Sequence, residues 1–245
     1  MFIEETKESK AVKQFARFAH QYNAYNVIQA EVAKRLVAKL PAGKYKCIVD
    51  LGCGSGEVYK NIEKNKINFD TFIALDSSSE MLGLHPVDPM IKKITADFNR
   101  IETFKCLDVV KDETLLLSSS ALQWSKSLDF VFKELSKKSV KVYFAIFTAN
   151  TFKTLHQTAQ IQSPIYSEET LKKSIKKYYD ADFELQAYRL EFQTVRDMFH
   201  YIKRSGVSGG EKQLSYRQIK QLMNEYPLSY LEFEVLFVEA TPLTL

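Results

Sequence analysis

The chain has 245 residues, 45% of them apolar, enough for one large domain with a substantial core. Its 34 basic and 30 acidic residues leave a net charge of +4, which argues against a whole-protein field built for duplex nucleic acid. Cys47, Cys53 and Cys106 form an odd set with no C-x-x-C pair, so free thiols are expected rather than a disulfide framework or a zinc site; with no signal-like N-terminus and no run of ~20 apolar residues, a cytoplasmic protein without a membrane span is expected.

Residues 9–40 carry helical periodicity, with Val12, Phe15, Ala19 and Tyr22 on one stripe and Ile28, Val32, Leu36 and Leu40 on another. Asn23 and Asn26 suggest a break between two helices, and Pro41 and Gly43 end the second. An apolar run, Ile48, Val49 and Leu51, then stops at three glycines placed every second residue, Gly52, Gly54 and Gly56. This pattern reads as a buried strand, a tight turn and the start of a helix, with a backbone that a ligand can approach closely.

The spacing selects the ligand. In a dinucleotide G-x-G-x-x-G fingerprint the third glycine would fall on Glu57 counted from Gly52, or on Tyr59 counted from Gly54. Neither frame fits. Asp50 before the turn and Glu57 after it would repel a pyrophosphate but tolerate a cationic sulfonium amino acid, so the loop suits S-adenosylmethionine better than NAD.

A second short run, 71–76, ends in Asp76, twenty positions after Gly56, where the next strand of a β-α-β unit would present a carboxylate to both ribose hydroxyls. Asp76 is also placed to cap the helix that follows. Residues 92–98 read as a third strand that presents Asp97 and Phe98 to an adenine, or as a turn capped by Asp97. Residues 114–120 are the most continuously apolar run and belong at the sheet centre. A helix at 128–135 and a fifth strand at 140–148 complete a doubly wound, mostly parallel α/β sheet, whose ligand crevice lies outside the carboxyl ends of the strands. Asp50, Asp76, Asp97 and Ser118 to Ser120 fall on that edge.

Beyond residue 150 the pattern changes. Helices near 151–159, 168–179, 195–205 and 215–225 surround β-rich runs at 185–193 and 230–240, expected as an antiparallel pair added to the sheet edge. The expected whole is a single domain with a seven-stranded sheet: 1–43 N-terminal helices, 44–150 cofactor-binding core, 151–229 lid-containing segment and 230–245 final strand. The lid is locally basic, with Lys172, Lys173, Lys176, Lys177, Lys203, Arg204, Lys212, Arg217 and Lys220. These form either an ordinary solvated face or a docking surface for an acidic partner.

Residues 49–56 (VDLGCGSG), 74–82 (ALDSSSEML) and Ala96-Asp97 resemble the successive motifs of class I S-adenosylmethionine-dependent methyltransferases. A narrower resemblance runs through 15–22 (FARFAHQY), Ile28-Gln29, 118–124 (SSSALQW), 201–208 (YIKRSGVS) and 226–230 (YPLSY). These are similar to marks of the malonyl-[acyl-carrier protein] O-methyltransferase family. The chain departs from the family at Asn23, at Ser119 and at Lys137-Lys138-Ser139, where Tyr-Asp, Ser-Asn and a Pro-Gly turn are usual. The resemblance implies a cofactor site of Asp50, Gly52, Gly54, Gly56, Asp76, Ser77, Met81, Asp97, Phe98, Ser118 and Ser119, with Asp76 on the ribose. It implies as substrate a malonyl group on an acyl carrier protein or on CoA, and an early step of biotin synthesis. A monomer without nucleic-acid partners is expected.

No His or carboxylate is placed unambiguously as a base. Amine or hydroxyl acceptors usually need one, whereas a carboxylate is already ionised and needs orientation and exclusion of water. Tyr22 and Gln123 are candidate positioners, Trp124 a wall and Lys203 an anion contact. The alternatives are a carboxyl methyltransferase for another small acid such as aconitate, a nucleic-acid methyltransferase, and a catalytically silent cofactor-binding module.

Overall fold

The structure, a computed structural model, describes residues 25–204 and 214–244. Tyr22, Asn23, Lys212 and the last part of the 201–208 motif lie outside the described residues.

The first described helix, α1 (Val27–Ala38), buries Ile28, Val32, Ala33, Leu36 and Val37 on one stripe. Then come β1 (Lys44–Leu51), α2 (Glu57–Lys64), β2 (Asn68–Asp76), α3 (Ser79–Leu84) and β3 (Ile91–Thr95). They are followed by α4 (Ile101–Cys106), β4 (Thr114–Ser119), α5 (Leu128–Leu135), β5 (Lys141–Phe147), α6 (Lys153–Thr158) and α7 (Glu168–Ile175). The chain closes with β6 (Tyr179–Glu191), α8 (Val195–Arg204), α9 (Tyr216–Glu225) and β7 (Tyr230–Pro242).

The strands form one seven-stranded sheet in the order β3-β2-β1-β4-β5-β7-β6. Strands β1 to β5 pair in parallel, and β7 runs antiparallel to both β5 and β6. The expected antiparallel pair is therefore present, with β7 one place in from the edge and β6 outermost. Strand order reverses direction between β1 and β4, so the chain leaves their carboxyl ends toward opposite sides and opens a crevice there. The apolar run of β4 is buried along almost its whole length, as its central place requires.

Two cores cover the two faces of the sheet. One joins α1, α2, Leu155 of α6, Met198 and Tyr201 of α8 and Leu222 of α9. The other joins Phe104 of α4, Val131, Phe132 and Leu135 of α5, and Leu171 and Ile175 of α7. The helices of residues 151–229, expected to contain a locally basic lid, are thus divided between the two faces. Helix α7, which carries Lys172 and Lys173 and is followed directly by Lys176 and Lys177, packs against α5 on the face opposite α8 and α9. Two boundaries also differ. The helix expected to reach Tyr179 ends at Ile175, and β6 begins at Tyr179, six residues before the run at 185.

Candidate active site

The crevice at the β1–β4 switch is a cleft lined from the ends of β1, β2 and β4. Its floor is the turn after β1. Gly52 and Cys53 donate their N–H groups to the Leu75 carbonyl at 2.7 and 3.0 Å, which ties the turn to the end of β2. Gly52 has φ +74°, and a Cβ there would lie 2.3 Å from Cβ of Ala121, so the two loops meet only because this residue has no side chain. Gly56 serves a different contact. A Cβ on it would stand 2.7 Å from Cδ of Pro86, and it does not line the cleft.

Asp76 closes the floor. One carboxylate oxygen accepts the Gly54 N–H at 2.9 Å and the other accepts the Ser78 N–H at 2.9 Å. The cap of α3 is Ser78, whose Oγ accepts the Met81 N–H at 3.2 Å. Asp76 instead fastens the helix entrance to the glycine turn. Burial pushes its carboxyl up while the backbone N–H groups pull it down.

Asp50 is fully buried, and neither carboxylate oxygen has a hydrogen-bond partner. Burial, and then the charge of Asp76, hold it well above the usual carboxylate range. Burial likewise pushes the neighbouring Cys53 thiol up, with Asp50 and Asp76 adding to the effect, so that side chain is a neutral wall rather than a nucleophile.

Among the described residues the lining contains four carboxyl groups, Asp50, Glu57, Asp76 and Asp97, and no lysine, arginine or histidine. Three of the four are engaged: Asp76 as above, Glu57 by Lys60 at 2.7 Å and Asn26 at 3.3 Å, and Asp97 by the backbone and side-chain N–H groups of Asn99, both at 2.9 Å. The described lining is thus acidic, and Asp50, unpartnered and raised by burial, is the group whose ionised form a bound cation would favour. A ligand with a cationic end suits it and a pyrophosphate does not. S-Adenosylmethionine fits this donor and charge set: its ammonium and sulfonium supply the charge Asp50 lacks, and its ribose hydroxyls have Asp76 as a nearby acceptor.

Of the sequence-derived candidates, the cleft gathers Asp50, Gly52, Gly54, Asp76, Ser77, Met81, Asp97, Phe98, Ser119 and Trp124. Ser118 is outside it. That hydroxyl is fully buried and donates to the Leu51 carbonyl at 2.7 Å, holding β4 to β1. Gln123 is also outside the lining, and its Nε2 donates to the Ser120 carbonyl at 2.7 Å. Lys203 lies exposed on α8 and is not among the described lining residues.

Sequence reasoning missed the contribution of α1, which brings Gln29 and Ala33 to the wall, and those of Asn99 and Ala121, while Ser120 lies on the strand-end edge where it was expected. Gln29 left a signal. It is a polar residue beside Ile28 and Val32 on the helix stripe, it is 5% exposed, and its Oε1 has no partner.

No family model matches the chain. A malonyl-[acyl-carrier protein] O-methyltransferase of Hamiltonella defensa is 24% identical over 246 residues, covering 95% of this chain and 92% of the relative. One from Priestia megaterium is 26% identical over 249 residues, covering 87% and 88%. Among solved structures, YcgJ of Bacillus subtilis superposes with a TM-score of 0.63 at 10% identity, covering 87% of this chain and 99% of that one. Phosphoethanolamine N-methyltransferase 2 of Haemonchus contortus, in complex with S-adenosyl-L-methionine, gives 0.59 at 14% identity, covering 99% and 62%. The chain has the class I methyltransferase fold and resembles the malonyl-[acyl-carrier protein] O-methyltransferases. Among the described residues, no helix is long and apolar enough to cross a membrane.

Proposed function

We propose that this single-domain chain transfers the methyl group of S-adenosylmethionine to the free carboxylate of a malonyl thioester, carried on an acyl carrier protein, as an early step of biotin synthesis. The observation that supports the reading is a cleft with an acidic lining in which, among the described residues, no lysine or histidine stands as a base. Three of its carboxyl groups are committed to other bonds, the fourth lies at the bottom, and Cys53 is held neutral. An amine or hydroxyl acceptor would need a group to take its proton. A malonate carboxylate needs none. The relatives that span nearly the whole chain carry the corresponding name.

When bound, the cofactor supplies a methyl group on a positively charged sulfur. The substrate carboxylate oxygen would bond to the methyl carbon as the carbon–sulfur bond breaks with its electron pair left on sulfur, and no proton would have to move. The protein's share is orientation and dryness. Asp50 neutralises the cationic end, Asp76 orients the ribose, Asp97 and Phe98 border the adenine, and Trp124 closes the wall beside the acceptor. We further propose a monomer acting in the cytoplasm, with no nucleic-acid partner.

Product analysis tests the reading. Purified protein with labelled cofactor and malonyl-carrier protein should give a base-labile methyl ester. Methylation of aconitate in place of the malonyl thioester would move the assignment to another small acid, and cofactor binding without turnover on any acid would make the chain a binding module.

A further inference from the structure

The turn after β4 is built unlike the rest of the cleft. Ser120 has φ +61°, a left-handed conformation that residues with a Cβ avoid unless their surroundings enforce it. Both of its backbone polar groups are pinned: its N–H donates to the Ala145 carbonyl at 2.8 Å, and its carbonyl accepts from Nε2 of Gln123 at 2.7 Å. Its hydroxyl is left buried and without a partner. Four residues on, Nε1 of Trp124 is also buried and unpartnered. Both residues line the cleft.

An indole N–H can only donate, and a serine hydroxyl can donate, so this wall calls for an acceptor. The four carboxyl groups of the lining would repel a second anion unless a bound cation offset them. Neutral donors also suit the chemistry better than a lysine or arginine. In methyl transfer between a sulfonium and a carboxylate both charges shrink on the way to the transition state. A full positive charge beside the carboxylate would therefore stabilise the ground state more than the transition state.

We propose that the Ser120 hydroxyl and the Trp124 indole N–H hold the substrate carboxylate, and that Gln123 acts as a positioning residue through the Ser120 carbonyl; this rests on the carboxyl-methylation reading above.

The decisive variant is Ser120→Gly, which accepts the left-handed backbone and removes the hydroxyl with its single carbon. Malonyl-CoA and its methyl ester are each titrated into wild type, Ser120→Gly, Ser120→Asn and Trp124→Phe saturated with S-adenosylhomocysteine, whose own affinity for each protein is measured first. The expected result is that wild type prefers the acid to the ester, and that each substitution weakens the acid about ten- to a hundredfold, as for a lost hydrogen bond to a charged group, while ester affinity stays nearly constant. Ser120→Asn, which tolerates the backbone and keeps a donor, should restore part of the loss. If wild type fails to distinguish acid from ester, or Ser120→Gly weakens both equally, the proposal is overturned. A matching drop in S-adenosylhomocysteine affinity instead would assign the two donors to the carboxylate of the cofactor and also overturn it. Turnover by wild type is scored separately, so failure of the methylation reading is seen on its own.

Discussion

Asp76 and Gly54 are joined at 2.9 Å, the carboxylate at the end of β2 accepting the N–H of the middle glycine of the turn after β1. With the Ser78 N–H on its other oxygen, Asp76 couples three segments of the cleft floor before any ligand arrives. Asp76→Ala should therefore remove a ribose acceptor and also strand two backbone donors. We expect cofactor affinity to fall by about 1–3 kcal/mol together with a lower melting temperature. Calorimetry checks the first and thermal denaturation the second. Unchanged affinity in a folded variant would leave Asp76 with a purely structural role.

Gly52 provides a steric test. Gly52→Ala places a methyl 2.3 Å from Cβ of Ala121 in a left-handed backbone, and overpacking with that strain should cost at least about 2 kcal/mol. Gly43→Ala meets nothing within 4 Å and should be nearly neutral. Equal melting temperatures for the two variants would contradict the close approach of the β1 and β4 turns.

Asp50 predicts a pH dependence. Its carboxyl is raised in the folded, ligand-free protein, so it keeps a proton that the unfolded chain has already released. The resulting stability is whole below the ordinary carboxylate range and is lost as pH rises toward the raised value. A bound cation favours the ionised form and should expel that proton, so cofactor affinity should increase with pH across the same window. Titrations in two buffers of different ionisation enthalpy should show release of up to about one proton, and none for Asp50→Asn. Proton uptake by wild type would overturn the assignment.

These tests concern the part of the molecule that was most legible in the sequence. The β1 run, the glycine turn and Asp76 are local patterns, because strand, turn and helix entrance follow one another along the chain. The strand ends at Asp97 and Ser119 could be placed for the same reason. What local pattern could not show is which distant element completes the wall: Gln29 reaches the cleft only because α1 packs across α2. Strand β6 was shortened because its first half, Tyr179 to Glu184, mixes three acidic residues into a half-buried alternation and follows the helix directly. Helix α4 is six residues long, too short for periodicity to declare itself.

The basic surface is the clearest case of a property that only tertiary structure decides. On α7, Lys172 is bonded to Glu168 at 2.5 Å and lies over the Phe183 ring with Lys176, at 5.4 and 5.6 Å, while Lys177 is paired with Asp129. Much of that charge is answered within the protein. On the other face Lys203, Arg217 and Lys220 are exposed, with no ion-pair partner among the described residues. Arg204 beside them is bonded to the Tyr25 hydroxyl at 2.6 Å. If an acidic helix of a carrier protein docks by charge, α8 and α9 offer the free cations. Charge reversal at Lys203, Arg217 and Lys220 should raise KM for malonyl-carrier protein about tenfold at low salt, with the effect fading at high ionic strength. Reversal of Lys172, Lys173, Lys176 and Lys177 should do less. Malonyl-CoA kinetics should change little in either variant, because neither set lines the cleft. The single variant Lys203→Glu separates two roles: a loss on both substrates would return Lys203 to the substrate carboxylate, whereas a loss on the carrier-bound substrate alone places it on the docking face.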